Sequence, residues 1–210
     1  ALVTGAGGSI GSELCRQIAR FGVRQLVCID SSEIAIYVLE QEFKARFPEL
    51  AVRYYTANVR EPERLHDLFK LHRPAVVLHA AAYKHVPLME DDNAIEALRA
   101  NVLGTLNAAR AATACGAQRF VLISTDKAVN PVNLYGATKL CAERITVESN
   151  SYAGGRDIRF SCVRYGNVLA SRGSVVQAFE RQRECGEVAV TDMRMTRFWI
   201  TLEQGAELVI

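Results

Sequence analysis

The chain has 210 residues, half of them hydrophobic, and 25 Lys and Arg against 23 Asp and Glu leave a formal charge of +2. That length buries one good core with at most a small second lobe. With no basic block and no apolar run near the ~20 residues that span a bilayer, neither a nucleic-acid partner nor a membrane segment is expected in this stretch.

Short β-branched runs alternate with longer amphipathic ones. Strands are predicted over 2–4, 25–30, 51–57, 75–79, 119–124 and 158–164, and helices near 9–21, 33–47, 61–72, 92–114 and 137–152. Repeated β-α with apolar strands predicts an α/β fold, a doubly wound parallel sheet covered on both faces. After Arg164 the elements shorten and Gly166, Gly173 and Gly186 punctuate them, so a domain over 1–165 is expected to pass into a partial substrate lobe over 166–210. Cys15, Cys28, Cys115, Cys141, Cys162 and Cys185 are scattered, with no C-x-x-C pair or His/Cys cluster. They read as reduced thiols of a cytoplasmic protein, with no metal site. The chain opens partway along a predicted strand and closes inside a predicted helix, so both ends are expected to be cut, which leaves open an anchor beyond them.

The first strand runs into Thr4-Gly5-Ala6-Gly7-Gly8-Ser9-Ile10-Gly11. Gly5, Gly8 and Gly11 permit a tight turn and close approach to a diphosphate, and a helix starting at Ser9-Ile10 offers backbone N–H groups to its charge. Asp30 ends the second strand, where a carboxylate accepts from ribose hydroxyls and repels a 2′-phosphate, favouring NAD over NADP. The alternative for Asp30 is a cap on the next helix, a role open also to Ser31 or Ser32. Asn58-Val59 follows the third strand, placed either to touch the adenine edge or to satisfy its own turn. His79-Ala80-Ala81-Ala82 ends the fourth strand with small side chains that let backbone lie against a flat cofactor; His79 itself reads as a hydrogen-bonded strand-end histidine. Lys84, just beyond, meets either a substrate oxygen or solvent.

The polar cluster of Ser124-Thr125-Asp126-Lys127, with Tyr135 and Lys139 after it, follows the fifth strand. Tyr135 and Lys139, four apart, share one face of a helix. A phenol is a poor base at neutral pH, but a nearby ammonium and a cationic nicotinamide would both favour the phenolate. Tyr135 then removes a hydroxyl proton while hydride leaves, with Thr125 or Ser124 orienting the oxygen. Asn167, Arg172 and Arg197 are candidates to hold a nucleotide diphosphate.

The glycine pattern, Asp30 and Tyr135-x-x-x-Lys139 resemble the extended short-chain dehydrogenase/reductase superfamily. Ala82-Tyr83-Lys84-His85-Val86-Pro87 and Ser124-Thr125-Asp126-Lys127-Ala128-Val129-Asn130-Pro131 are more narrowly similar to the UDP-N-acetylglucosamine 4,6-dehydratases of bacterial polysaccharide and flagellin-sugar biosynthesis. From Asn133 onward the chain looks most like the C5-inverting, pseudaminic-acid-type members; Gly5-Ala6-Gly7-Gly8 with Asp30-Ser31-Ser32-Glu33 looks more like the retaining branch. The resemblance implies a Rossmann domain, a homo-oligomer and UDP-N-acetylglucosamine as substrate. It implies Lys127 as C5 base and Asp126 as C6 acid, with Tyr135 and Lys139 against the cofactor. A UDP-sugar 4-epimerase shares Tyr135 and Lys139 but has no chemical need for Asp126-Lys127, and a non-catalytic dinucleotide binder needs none of the four.

Overall fold

The computed structural model describes residues 1–169, 171, 174–190 and 192–210. Six strands, β1 (Leu2–Thr4), β2 (Leu26–Asp30), β3 (Val52–Thr56), β4 (Val76–His79), β5 (Arg119–Ile123) and β6 (Arg159–Val163), form one sheet in the order β3-β2-β1-β4-β5-β6. Every pair in it is parallel. The near-continuous apolar runs exist because both faces are covered. In β2, Val27 and Ile29 enter one layer while Leu26 and Cys28 enter the other, as the two-residue strand period requires.

One layer is filled from α3 (Pro62–His72), α6 (Gly104–Cys115) and α7 (Leu134–Tyr152), through side chains such as Leu65, Phe69, Ala108 and Ala142. The other is filled from α1 (Ser9–Arg20), α2 (Glu33–Arg46) and α9 (Leu202–Val209), through Leu14, Leu39, Phe43 and Ala206. The doubly wound sheet expected from the alternating pattern is therefore present. Its strand order reverses between β1 and β4, and the crevice at their carboxyl ends is where such sheets receive ligands.

The predicted helix over 92–114 is not one regular element. After α4 (Val86–Met89) and a tight turn at Asp91–Asn93, α5 (Ala94–Ala97) runs through a π-helical turn, Leu98–Leu103, into α6. No Pro or Gly interrupts Leu98–Leu103, so periodicity alone reads the stretch as continuous. The helix predicted from 137 starts at Leu134 instead, because the Asn133 Oδ1 caps it by accepting from the Gly136 N–H at 2.8 Å. Tyr135 thereby sits in the first turn.

Beyond β6, β7 (Asn167–Val168) pairs with β8 (Trp199–Ile200), with α8 (Val175–Glu184) between them. Thr201 and Gln204 form a capping box that starts α9. This helix returns to the first domain: Ala206 and Val209 are buried in the α1 layer, and Gln17 Nε2 donates to the Glu203 carbonyl at 2.9 Å. Among the described residues, no helix is long and apolar enough to cross a membrane, and no His/Cys/Asp/Glu group could hold a metal ion.

His79 is wholly buried, with Nδ1 2.7 Å from the Thr4 hydroxyl and Nε2 3.1 Å from the Thr105 hydroxyl. Burial, then the Lys139 ammonium, lowers its pKa to about 3, so the ring is neutral and structural. The unfolded chain binds a proton at this residue near pH 6.5 and the native state does not, so stability falls as pH drops below that value. The contribution approaches about 1.4 kcal/mol per pH unit. Urea unfolding from pH 7 to 4 is expected to show this slope, and it is expected to flatten in His79→Gln by comparison with the unaltered chain.

Candidate active site

The cradle at the switch point is built from backbone. Gly5 has φ +69°, and a Cβ there would stand 2.6 Å from the Ala81 nitrogen; one on Gly11 would stand 1.9 Å from the Gly5 carbonyl oxygen. Only hydrogen side chains let the loop, α1 and the end of β4 lie this close. α1 has no side-chain cap and no acid in its first turn, so its positive end, at Ser9 and Ile10, opens to the crevice. Asp30 Oδ2 accepts from the Gly7 N–H and Oδ1 from the Ser32 N–H, both at 2.9 Å, while Ser32 caps α2. The carboxylate braces the glycine loop rather than capping the helix. Gly5, Gly8, Asp30, Asn58, Val59 and the Ala80–Ala81 pair line one cleft of about 200 Å³. The side chain of Asn58 is spent on its own turn, its Oδ1 accepting from the Arg60 N–H at 3.0 Å and from Arg60 Nε at 3.2 Å. A larger groove of about 670 Å³, between α2 and β3, contains none of the candidate residues except by adjacency.

The chemical end follows β5. Thr125 Oγ1 accepts from the Lys127 N–H at 3.3 Å, closing a tight turn over Asp126–Ala128, and donates to Asp126 Oδ1 at 3.0 Å. Lys127 Nζ donates to Asp126 Oδ1 at 3.0 Å and to Asn167 Oδ1 at 2.7 Å. Tyr135 is half-buried beside this turn. Burial, with the Asp126 charge adding to it, pushes the phenol up to about 12, and a hydrogen bond with Thr125 acts in the opposite direction. Lys139 is buried and donates from Nζ to the Ile123 carbonyl at 2.6 Å. Desolvation lowers its ammonium to about 8. The expected lowering of the phenol by Lys139 is not what this arrangement produces: the ammonium is directed at a strand-end carbonyl, and desolvation governs Tyr135.

A family model described as "Polysaccharide biosynthesis protein" matches residues 1–210. The chain belongs to this family. Over its whole length it is 46% identical to a probable polysaccharide biosynthesis protein, EpsC, of Bacillus subtilis, of which it covers 35%. It is 39% identical to a UDP-N-acetylglucosamine 4,6-dehydratase (inverting) of Campylobacter jejuni, again over its whole length and covering 61% of that protein. The X-ray structure of Pen from Bacillus thuringiensis superposes with a TM-score of 0.91 at 34% identity, across 99% of this chain and 62% of that one. The chain thus spans about a third to three-fifths of the relatives it matches.

In this family member, Lys84 reaches the crevice from the opposite lip, its Nζ donating to Ser171 Oγ at 3.3 Å. Desolvation, then the nearby Lys127 cation, lowers its ammonium from the ordinary lysine range. Asn167 is brought to Lys127 as described. Arg197 is not brought in: it is exposed, and Nη1 donates to the neighbouring Thr196 carbonyl at 2.7 Å. Arg172 lies outside the described residues. Ser124 is not available to a substrate, because it is buried and donates to Glu143 Oε1.

Two supports escaped sequence reasoning. Asn101, in the π turn, accepts from the Tyr83 N–H at 2.8 Å and donates to the Tyr83 carbonyl at 2.9 Å and Thr138 Oγ1 at 3.0 Å. It pins the lip carrying Lys84 to the helix carrying Tyr135. Its signal was a polar residue four after Ala97 and four before Thr105, on the face of the helical pattern that is buried. Glu143, buried one turn beyond Lys139, accepts from Ser124 and pairs with Arg164. Its signal was the i, i+4, i+8 run of Tyr135, Lys139 and Glu143 on one face. Glu143→Ala removes the partner of a buried hydroxyl and of a half-exposed guanidinium. It is expected to cost about 2–3 kcal/mol in a denaturant titration, below the full penalty for splitting a buried ion pair because Arg164 regains water.

Proposed function

We propose that the chain carries the catalytic core of a sugar-nucleotide 4,6-dehydratase, taking UDP-N-acetylglucosamine to a UDP-4-keto-6-deoxy-N-acetylhexosamine. One observation carries the reading: the Asp126–Lys127 pair, fixed by Asn167, stands beside Tyr135 at the end of a backbone cradle. An oxidoreductase acting at C4 alone has no use for a second acid/base pair; a dehydratase needs one.

The cradle fits a dinucleotide: its glycines let the loop, α1 and the end of β4 close together, and the cleft beside them is lined by Gly5, Gly8, Asp30 and small alanines. Gly5, Gly8, Ser9, Ile10 and Gly11 would hold the diphosphate. Asp30 would face the adenosine ribose, and Ala80 and Ala81 would lie along the cofactor. NAD, with NADP the alternative, would supply the hydride acceptor for C4 and the donor for C6. Tyr135 removes the C4 hydroxyl proton, with Thr125 hydrogen-bonded to the reacting oxygen and Lys139 holding the cofactor side. With C4 a ketone, the C5 proton is acidic and Lys127 removes it. Asp126 protonates the C6 hydroxyl, which leaves as water. Inversion at C5 is the favoured outcome. Lys84 and Asn167 border the sugar, Asn167 by orienting Lys127; Arg172 is kept as a candidate for the nucleotide side, and Arg197, turned to its own neighbour, is not. Residues 166–210 contribute the substrate lobe, with α9 returning to the Rossmann domain over 1–165, in a homo-oligomer.

The second reading is a UDP-sugar 4-epimerase, favoured by 34% identity over the whole chain to a UDP-glucose 4-epimerase of Rickettsia bellii. Mass spectrometry after incubation with UDP-N-acetylglucosamine separates the two. Loss of one water is expected, whereas a C4 isomer of unchanged mass would replace this reading with the epimerase.

A further inference from the structure

β3 is an outer strand of the sheet and, among the described residues, pairs only with β2. At the two ends of their ladder the Leu26 N–H donates to the Ala51 carbonyl and the Ala57 N–H to the Asp30 carbonyl. The strand period then turns the backbone of Arg53 and Tyr55 toward β2 as well, and leaves the N–H and C=O groups of Val52, Tyr54 and Thr56 pointing away from the sheet. No proline or bulge blunts this edge, and its only charge is Arg53.

The helix beside the edge carries a matching order. Glu33, Tyr37, Glu40 and Lys44 of α2, at steps of four, three and four, share one face. That face borders the groove of about 670 Å³ that separates it from Leu50, Val52 and Tyr54. Tyr37 is 55% exposed and Tyr54 is half-buried, so two tyrosine rings line space that this chain does not fill. The face starts on the Glu33 carboxylate and ends on the Lys44 ammonium.

An aromatic-lined groove along an unpaired strand edge takes an extended segment by strand addition. Symmetry selects the segment. Set antiparallel about a two-fold axis at Tyr54, a second β3 places Tyr54 opposite Tyr54 and Val52 opposite Thr56, which pairs every outward N–H and C=O of these residues. Arg53 then stands opposite the other copy's Tyr55, a cation beside an aromatic ring. Moving the axis one residue, to Arg53, would set two guanidiniums against each other. The same rotation runs the two α2 helices antiparallel, so the acidic start of each face lies toward the basic end of the other.

We propose that β3 and the Glu33–Lys44 face of α2 form a two-fold interface with a second copy of this chain, joining the two sheets edge to edge. The proposal rests on the homo-oligomer reading above and deepens it by naming the surface.

The test reads mass and register in the whole chain. Sedimentation equilibrium is expected to show an assembly of even number. Tyr37→Glu adds a third carboxylate to the acidic part of the face at an exposed position, so the fold is kept, which a thermal melt checks. It is expected to weaken this contact about 10- to 100-fold and so to halve the mass. Register is read by disulfide formation with oxidised glutathione, against the unaltered chain as the control for its exposed Cys141 and Cys185. Val52→Cys with Thr56→Cys in one chain is expected to give a covalent dimer, because facing residues stand within disulfide reach. Neither substitution alone is expected to link, since each then faces a residue without a thiol. An even assembly whose mass Tyr37→Glu leaves unchanged, or a double variant that does not link, would overturn this interface while leaving the homo-oligomer reading intact. A chain that stays monomeric at every concentration would end both.

Discussion

Tyr135→Phe is expected to slow reduction of bound cofactor by UDP-N-acetylglucosamine by about 10²–10⁴-fold, the usual worth of a placed general base. Tyr135 is half-buried in the first turn of α7, and the variant keeps the ring that fills this space. Folding should be unchanged, and NAD should bind within a few-fold of normal. The variant also has a pH signature. Burial holds the phenol near 12, so few molecules carry the phenolate at neutral pH, and the rate of the unaltered chain should rise with pH between 6 and 9. Lys139, lowered to about 8, loses its proton within the same window and should bend the upper part of that rise. Single-turnover absorbance of the reduced cofactor gives both results. A phenylalanine variant that retains the rate and its pH dependence would remove Tyr135 from the chemistry.

Lys127→Ala is expected to separate the two halves of the reaction. Loss of the C5 base should lower formation of the 4-keto-6-deoxy product by about 10²–10⁴-fold. Partial reduction of cofactor by substrate should persist, because Thr125, Tyr135 and Lys139 are untouched. The Lys127 ammonium bonds to Asp126 and Asn167 on the surface of the crevice, not in the core, so the variant should fold. Reduced cofactor accumulating without loss of water, followed by absorbance and mass in one sample, is the expected outcome. Product at the normal rate would move the base elsewhere, with Lys84, the other ammonium facing the crevice, the residue to test next.

The elements that could be read from the sequence are those specified by contiguous residues. Leu26–Asp30 and Arg119–Ile123 are strands because Leu26–Ile29 and Phe120–Ile123 each have an apolar layer to enter, and their predicted limits differ by about one residue. The glycine loop was legible for the same reason, since Gly5 and Gly11 are required by contacts their own motif makes. Reading failed where the cause lay far along the chain. Ser124 looked like a free hydroxyl, but its partner Glu143 is nineteen residues on. Nothing near Asn167, a candidate for the nucleotide side, shows that its Oδ1 accepts from Lys127 forty residues earlier. The ammonium of Lys139 was expected at the phenol from helical spacing alone, which gives a shared face and not the direction of a long side chain. The early start of α7 was visible in principle, since Asn133 is a good N-cap three residues before Gly136.

The docking of α9 onto α1 has a consequence for how the substrate side can move. The backbone from the end of β6 to Thr201 leaves the sheet and comes back to it, so it is an excursion closed at both ends. A free tail samples space in every direction, whereas a closed loop has already lost much of that entropy, and the cost of ordering it further grows only slowly with its length. Asn167 at one foot of the loop is tied to Lys127, and Glu203 at the other is tied to the helix whose first turn faces the cradle. Any shift of α8 relative to the sheet is thus a short-range rearrangement between two fixed points rather than a search.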